Sequence, residues 1–158
     1  MDSQENLFEA PKAQLEMEGT SDEAKVPVYS PNQVTTGTFL GGPLTGTYFL
    51  HANFKALGND DAARKALIGG VLFTAILGAV IPFLPKAFPN YPIPILYTMG
   101  AQWLAKSYQM KKPDIAASTR FGFESNWKVV LASLIGFIVF MILVIAEVYT
   151  LISVNGRL

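Results

Sequence analysis

The chain has no cysteine. Disulfides, thiolate metal centres and cysteine nucleophiles are therefore excluded. It has one histidine, His51. One imidazole with no carboxylate pair nearby in sequence makes a poor metal site. Charge is also scarce: Asp, Glu, Lys and Arg make up 15% of the 158 residues, against about a quarter in average proteins. The glycine-rich stretch near residue 41 is not followed by Gly-Lys-Ser or Gly-Lys-Thr, so a phosphate-cradling loop is not expected. The first residues lack a basic stretch followed by a short apolar core, so no signal peptide is expected there. Ser133 and the threonines have no base placed by sequence, so none of them is expected to act as a nucleophile. No cofactor, no metal and no catalytic residue are expected.

What is present is a sharp division. Residues 1–33 carry seven acids and two bases; residues 34–158 carry ten bases and five acids. The early part has few apolar residues and excess negative charge, which cannot offset chain entropy. Residues 1–28 are therefore expected to be a disordered acidic tail, either simply solvated or carrying a short motif for a basic partner. Residues 29–158 read as a transmembrane helical domain. The stretch 129–152 holds one charge in 24 residues. As a helix it is roughly 36 Å long, against a bilayer core of about 30 Å.

The expected fold class is all-α: an integral membrane bundle of four helices, at about 31–57, 60–84, 93–109 and 127–154. The first helix has a capping box in Ser30-Pro31-Asn32-Gln33, with Pro31 at the position where a missing donor costs nothing. Tyr29 and Val34 occupy the hydrophobic staple positions. Leu57-Gly58-Asn59-Asp60 reads as a tight turn into an antiparallel second helix, capped by Asn59. Asp60/Arg64 and Asp61/Lys65 are expected pairs one turn apart.

The first helix is unusual for a span. Residues 34–54 contain five threonines and four glycines. Pro43 removes a backbone bond and clashes with the Phe39 carbonyl, so a kink is expected at Gly41-Gly42-Pro43. Gly37/Gly41 and Gly42/Gly46 permit close helix approach, as does the Gly70, Thr74, Gly78 face of the second helix. Two readings follow for Gly41, Gly42 and Pro43: a packed helix in the bundle, or a broken, re-entrant segment whose carbonyls line a polar path.

The connection at 85–92 is proline-rich, with Phe88 and Tyr91 suited to an aromatic belt. The third helix is marginal in length, about 25 Å. The loop at 111–126 is too rich in Pro, Ser and Gly for a buried fold. Ser125 or Asn126 caps the last helix. Among polar groups, His51 is expected to make an interfacial or bundle-facing hydrogen bond, with a functional role as the alternative. Gln102 is expected to bond between helices. Glu147 is the acid inside an apolar span, a functional candidate by default. It either reaches the far interface or serves a proton or cation role beside the hydroxyls of the first helix.

Lys55, Arg64 and Lys65, then Lys106, Lys111, Lys112, Arg120 and Lys128, place the positive charge on one side. With four spans, both termini face away from the cytoplasm. If the first helix dips in and returns, the tail is cytoplasmic. These basic residues suit anionic lipid rather than nucleic acid.

Tyr29, Ser30, Pro31 and Gln33, then Phe39-Leu40-Gly41-Gly42-Pro43, then Asn53, Phe54, Leu57 and Gly58 form a recurring pattern. It resembles a segment of an uncharacterised family of small bacterial multi-pass membrane proteins. The resemblance covers about 30 of the 158 residues and implies a bacterial cytoplasmic (inner) membrane location, with no activity attached. The expected function is that of a non-enzymatic accessory or structural membrane protein acting through helix packing. Its partners would be the lipid bilayer and a second copy or another membrane protein. The alternative is a small solute or ion channel or transporter subunit, with the kinked first helix lining the path.

Overall fold

The computed structural model describes residues 25–85, 87–89 and 91–155. The expectations for residues 1–24 lie outside them. The elements are β1 (Val26–Val28), α1 (Pro31–Gly41), α2 (Pro43–Ala56), α3 (Asp60–Val80), a 3₁₀ turn (Ile81–Phe83), α4 (Pro92–Tyr108), α5 (Lys112–Ala117), β2 (Phe121–Phe123) and α6 (Asn126–Asn155). The chain is mainly helical, as its composition implies.

The capping box forms as its residues dictate. The Gln33 N–H donates to Ser30 Oγ at 3.4 Å, and the Ser30 N–H donates to Gln33 Oε1 at 2.9 Å. Tyr29 and Val34 are both buried in the core. The turn at 57–60 also forms. Gly58 takes φ 76°, a left-handed conformation, and Asn59 caps α3 by accepting from the Ala62 N–H at 3.0 Å. The expected Asp60/Arg64 and Asp61/Lys65 pairs do not close. Among the described residues the ion pair is Lys128 with Glu124, at 3.0 Å.

The helix expected over 31–57 is not one helix. It breaks at Gly42 (φ 81°, ψ −178°) into α1 and α2. The break is a reversal, not a kink. Asn53, near the end of α2, lies beside Tyr29, just ahead of α1, so the two helices fold back on each other. Gly46 faces Thr38 and Gly37 faces Phe49 across this hairpin. With 11 residues, α1 reaches about 16 Å.

The remaining helices frame this hairpin. β1 and β2 pair in parallel, Val26 with Phe121 and Val28 with Phe123. They launch α1 and α6 side by side in one direction. α3 returns antiparallel to α2, with Gly70 against Thr47. α4 runs back beside α1 and α2, and Gln109 at its end reaches Leu50 and Asn53. The molecule therefore has a near end and a far end. The near end holds β1, β2, the hairpin base and the starts of α3 and α6. The far end holds the last turns of α3 and α6 and the start of α4.

Two helices are long and apolar enough to cross a membrane: Asp60–Phe83, which includes the 3₁₀ turn, and Asn126–Thr150. That corrects the expectation of four. The first was lost to the hairpin. The third is α4, whose 17 residues end at Tyr108. Two smaller corrections concern the near end. Residues 26–28 form a strand, with Val28 buried, rather than the end of a tail. The loop at 111–126 contains α5 and β2, and Ile115 within it is buried.

Candidate functional site

The hairpin is held at its base by amide side chains. Asn53 Oδ1 accepts from the Tyr29 N–H at 2.7 Å, and Asn53 Nδ2 donates to the Tyr29 carbonyl at 2.7 Å. The same Nδ2 donates to Gln109 Oε1 at 2.9 Å, and Gln109 Nε2 donates to the Leu50 carbonyl at 2.9 Å. Asn53 is 2% exposed, so its amide is satisfied by protein rather than water. Gln33 adds a second tie, donating to the Glu124 carbonyl at 2.7 Å and to Asn126 Oδ1 at 2.8 Å. Around them Tyr29 packs on Phe49, ring centroids 4.5 Å apart. Burial, then the neighbouring Tyr48, raises the Tyr29 phenol well above its ordinary pKa. It stays neutral.

The tip is sealed by close packing. A methyl group on Gly41 would lie 2.7 Å from the Ser133 backbone. Gly42 faces the Phe140 ring. Ser133 Oγ donates to the Val129 carbonyl at 2.7 Å, with the Gly37 carbonyl at 3.3 Å. Four of the five threonine hydroxyls of the hairpin turn inward to its own backbone, and Thr36 is exposed. Thr35, Thr38, Thr45 and Thr47 donate to the carbonyls of Pro31, Val34, Gly41 and Pro43, at 2.6–2.9 Å. Such bonds let a hydroxyl sit in an apolar setting without an outside partner. Among the described residues, the Thr98 hydroxyl on α4 is buried with none.

The remaining candidates do not converge. His51 Nδ1 donates to the Ala63 carbonyl at 3.0 Å, tying α2 to α3 near the hairpin base. Glu147 lies against Gly78, where an added methyl group would meet its carboxylate oxygens at 2.6 Å. This is the far end of the molecule. Glu147 is 11 residues beyond Gly136, which contacts Thr45, so about 16 Å of helix separates it from the hairpin hydroxyls. A site joining Glu147 to those hydroxyls is not formed. Gln102 makes no side-chain hydrogen bond among the described residues; Gln109 serves between helices instead. Asn53 and Gln109 were missed as a pair, although a buried amide in an apolar helix signals an interhelical bond.

Beside the hairpin, α3 and α4 hardly touch each other. Between them is an open groove of about 720 Å³, floored by α2. Gly69 and Gly100 face unfilled space, with no atom within 4 Å of an added methyl group. A second apolar space of about 450 Å³ lies past the hairpin tip, between α3, α4 and α6, lined by Leu77, Ile93, Phe140 and Val144 among others.

No family model, no curated protein and no solved structure matches this chain.

Proposed function

We propose that the chain is a multi-pass integral membrane protein that works through helix packing rather than catalysis. The observation that carries this reading is the separation of charge from apolar surface. All nine described lysines and arginines (Lys25, Lys55, Arg64, Lys65, Lys106, Lys111, Lys112, Arg120 and Lys128) sit at the near end. Away from it α3 and α6 expose large apolar side chains on nearly every turn, from Leu67 to Val80 and from Val130 to Ile145. A water-soluble molecule does not leave so continuous an apolar belt uncovered. In a bilayer that belt is the ordinary surface.

On this reading α3 and α6 cross at full length, α4, with 17 residues at the lower limit for a span, carries the chain back to the near end, and the α1–α2 hairpin enters from the near end and stops near the bilayer centre. Irregular backbone at that depth is tolerated where protein surrounds it, and Gly42 is enclosed by Phe140 and the flanking helices. Three crossings put β1 and the end of α6 on opposite sides. The positive-inside rule assigns the near end to the cytoplasm. That is the re-entrant alternative of the sequence, with the tail cytoplasmic. A bacterial inner membrane is the location that the resemblance of residues 29–58 implies, and partners would be lipid and a second copy or another membrane protein.

Packing is favoured over conduction because four of the five hairpin threonine hydroxyls are committed to the hairpin's own backbone and the tip meets Phe140. A proteoliposome flux assay is expected to show no solute or ion flux. Flux reduced by Pro43→Ala would restore the conductor. Alkaline carbonate extraction tests the membrane reading itself. The chain is expected to stay with the membrane pellet, and release into the supernatant would contradict the proposal.

A further inference from the structure

We infer that the groove between α3 and α4 holds an acyl chain of an anionic glycerophospholipid, with Lys65 at its lip drawing the headgroup. The inference rests on the membrane reading above.

The groove spans α3 from Ala62 to Phe73 and is almost wholly apolar. Its 720 Å³ falls in the range of small-ligand sites, about 300–1,000 Å³. A flexible hydrocarbon chain can follow this trough and meet apolar side chains along its length. Gly69 and Gly100 open the groove from opposite sides. Gly70, by contrast, is used internally against Thr47. Two helix-interior glycines thus serve no contact within the chain, and their cost in helix propensity is explained by something that occupies the space.

The polar end specifies the headgroup. Lys65 lines the near-end lip and forms no ion pair among the described residues; the acid one turn before it, Asp61, is beyond ion-pair distance. Trp103 and Tyr108 stand on the α4 side of the lip, rings edge to face at 5.8 Å. Aromatic side chains with polar handles sit at headgroup level, and the cytoplasmic leaflet there is anionic. Apolar trough, aromatic rim and unpaired cation follow one another in the order of chain, glycerol region and phosphate.

The test uses the full chain carrying Trp127→Phe, which leaves Trp103 as the sole tryptophan. It is reconstituted in phosphatidylcholine vesicles containing a fixed small fraction of brominated phosphatidylglycerol or of brominated phosphatidylcholine. Quenching of Trp103 reports occupancy. The expected result is a preference for the anionic lipid of roughly fivefold, the factor one lysine near such a surface confers. Lys65→Gln removes the preference. Gly69→Leu with Gly100→Leu fills the groove and lowers quenching by both lipids, while circular dichroism stays helical because both positions are open. Equal quenching by the two lipids in the parent chain overturns the inference and leaves the membrane reading intact. So does a Trp103 shielded from both lipids in vesicle-bound protein, since a second copy or partner helix would then occupy the groove. A chain that fails to float with the vesicles overturns both readings.

Discussion

The near and far halves of this molecule are built on different principles. In the near half, polar atoms are spent on one another. Asn53, Gln109 and Gln33 tie four elements together, His51 ties α2 to α3, and glycines admit Thr38, Phe49 and Ser133 to van der Waals contact. In the far half, α3, α4 and α6 run on with few mutual contacts, and apolar space remains between them. The difference has a single cause. The hairpin is half the length of a span, so it fills the centre of the bundle only as far as Gly42. Specific order is carried by the half it fills, and the other half is left to lipid or a partner.

Four substitutions test that contrast by thermal unfolding in mild detergent. Asn53→Leu should cost most, roughly 3 kcal/mol, because it leaves the buried Tyr29 N–H and carbonyl without partners. Gly42→Ala should follow at about 2 kcal/mol. Its methyl group meets only ordinary contact with Phe140, so the loss would report the glycine-only backbone at φ 81°. Gly100→Ala changes the sign. It faces open space on a helix and should stabilise by about 1 kcal/mol. Glu147→Gln in the far half should lie within about 0.5 kcal/mol. If Glu147→Gln matched Asn53→Leu, the division between halves would fail.

Much of the near end was legible in the sequence because its signals are local. The capping box at 30–33, the turn at 57–60 and the packing roles of Gly37, Gly41 and Gly70 each depend on a few adjacent or regularly spaced residues. The two apolar helices follow from composition alone. The reversal at Gly42 was only half legible. Pro43 announces a broken ladder, but the angle is set by Gly42 and by Asn53 meeting Tyr29, 24 residues away. The pairing of β1 with β2 joins three-residue strands across most of the chain, and nothing local marks it. The short α4 was legible as marginal. The candidate residues were less well served. His51 packs as a hydrogen-bonding residue, Glu147 sits apart from the hairpin, and the amides that hold the site were ordinary in sequence.

The most direct test of the account is the side of the membrane on which residue 25 lies. Single cysteines at Lys25 and at Tyr91, both exposed, can be labelled with an impermeant maleimide because the chain has no other thiol. In intact bacterial cells the account predicts that Tyr91→Cys reacts and Lys25→Cys does not, until the cells are opened. Labelling of both Lys25→Cys and Tyr91→Cys in intact cells would mean that residues 31–57 cross the membrane, and the half-membrane hairpin would be wrong.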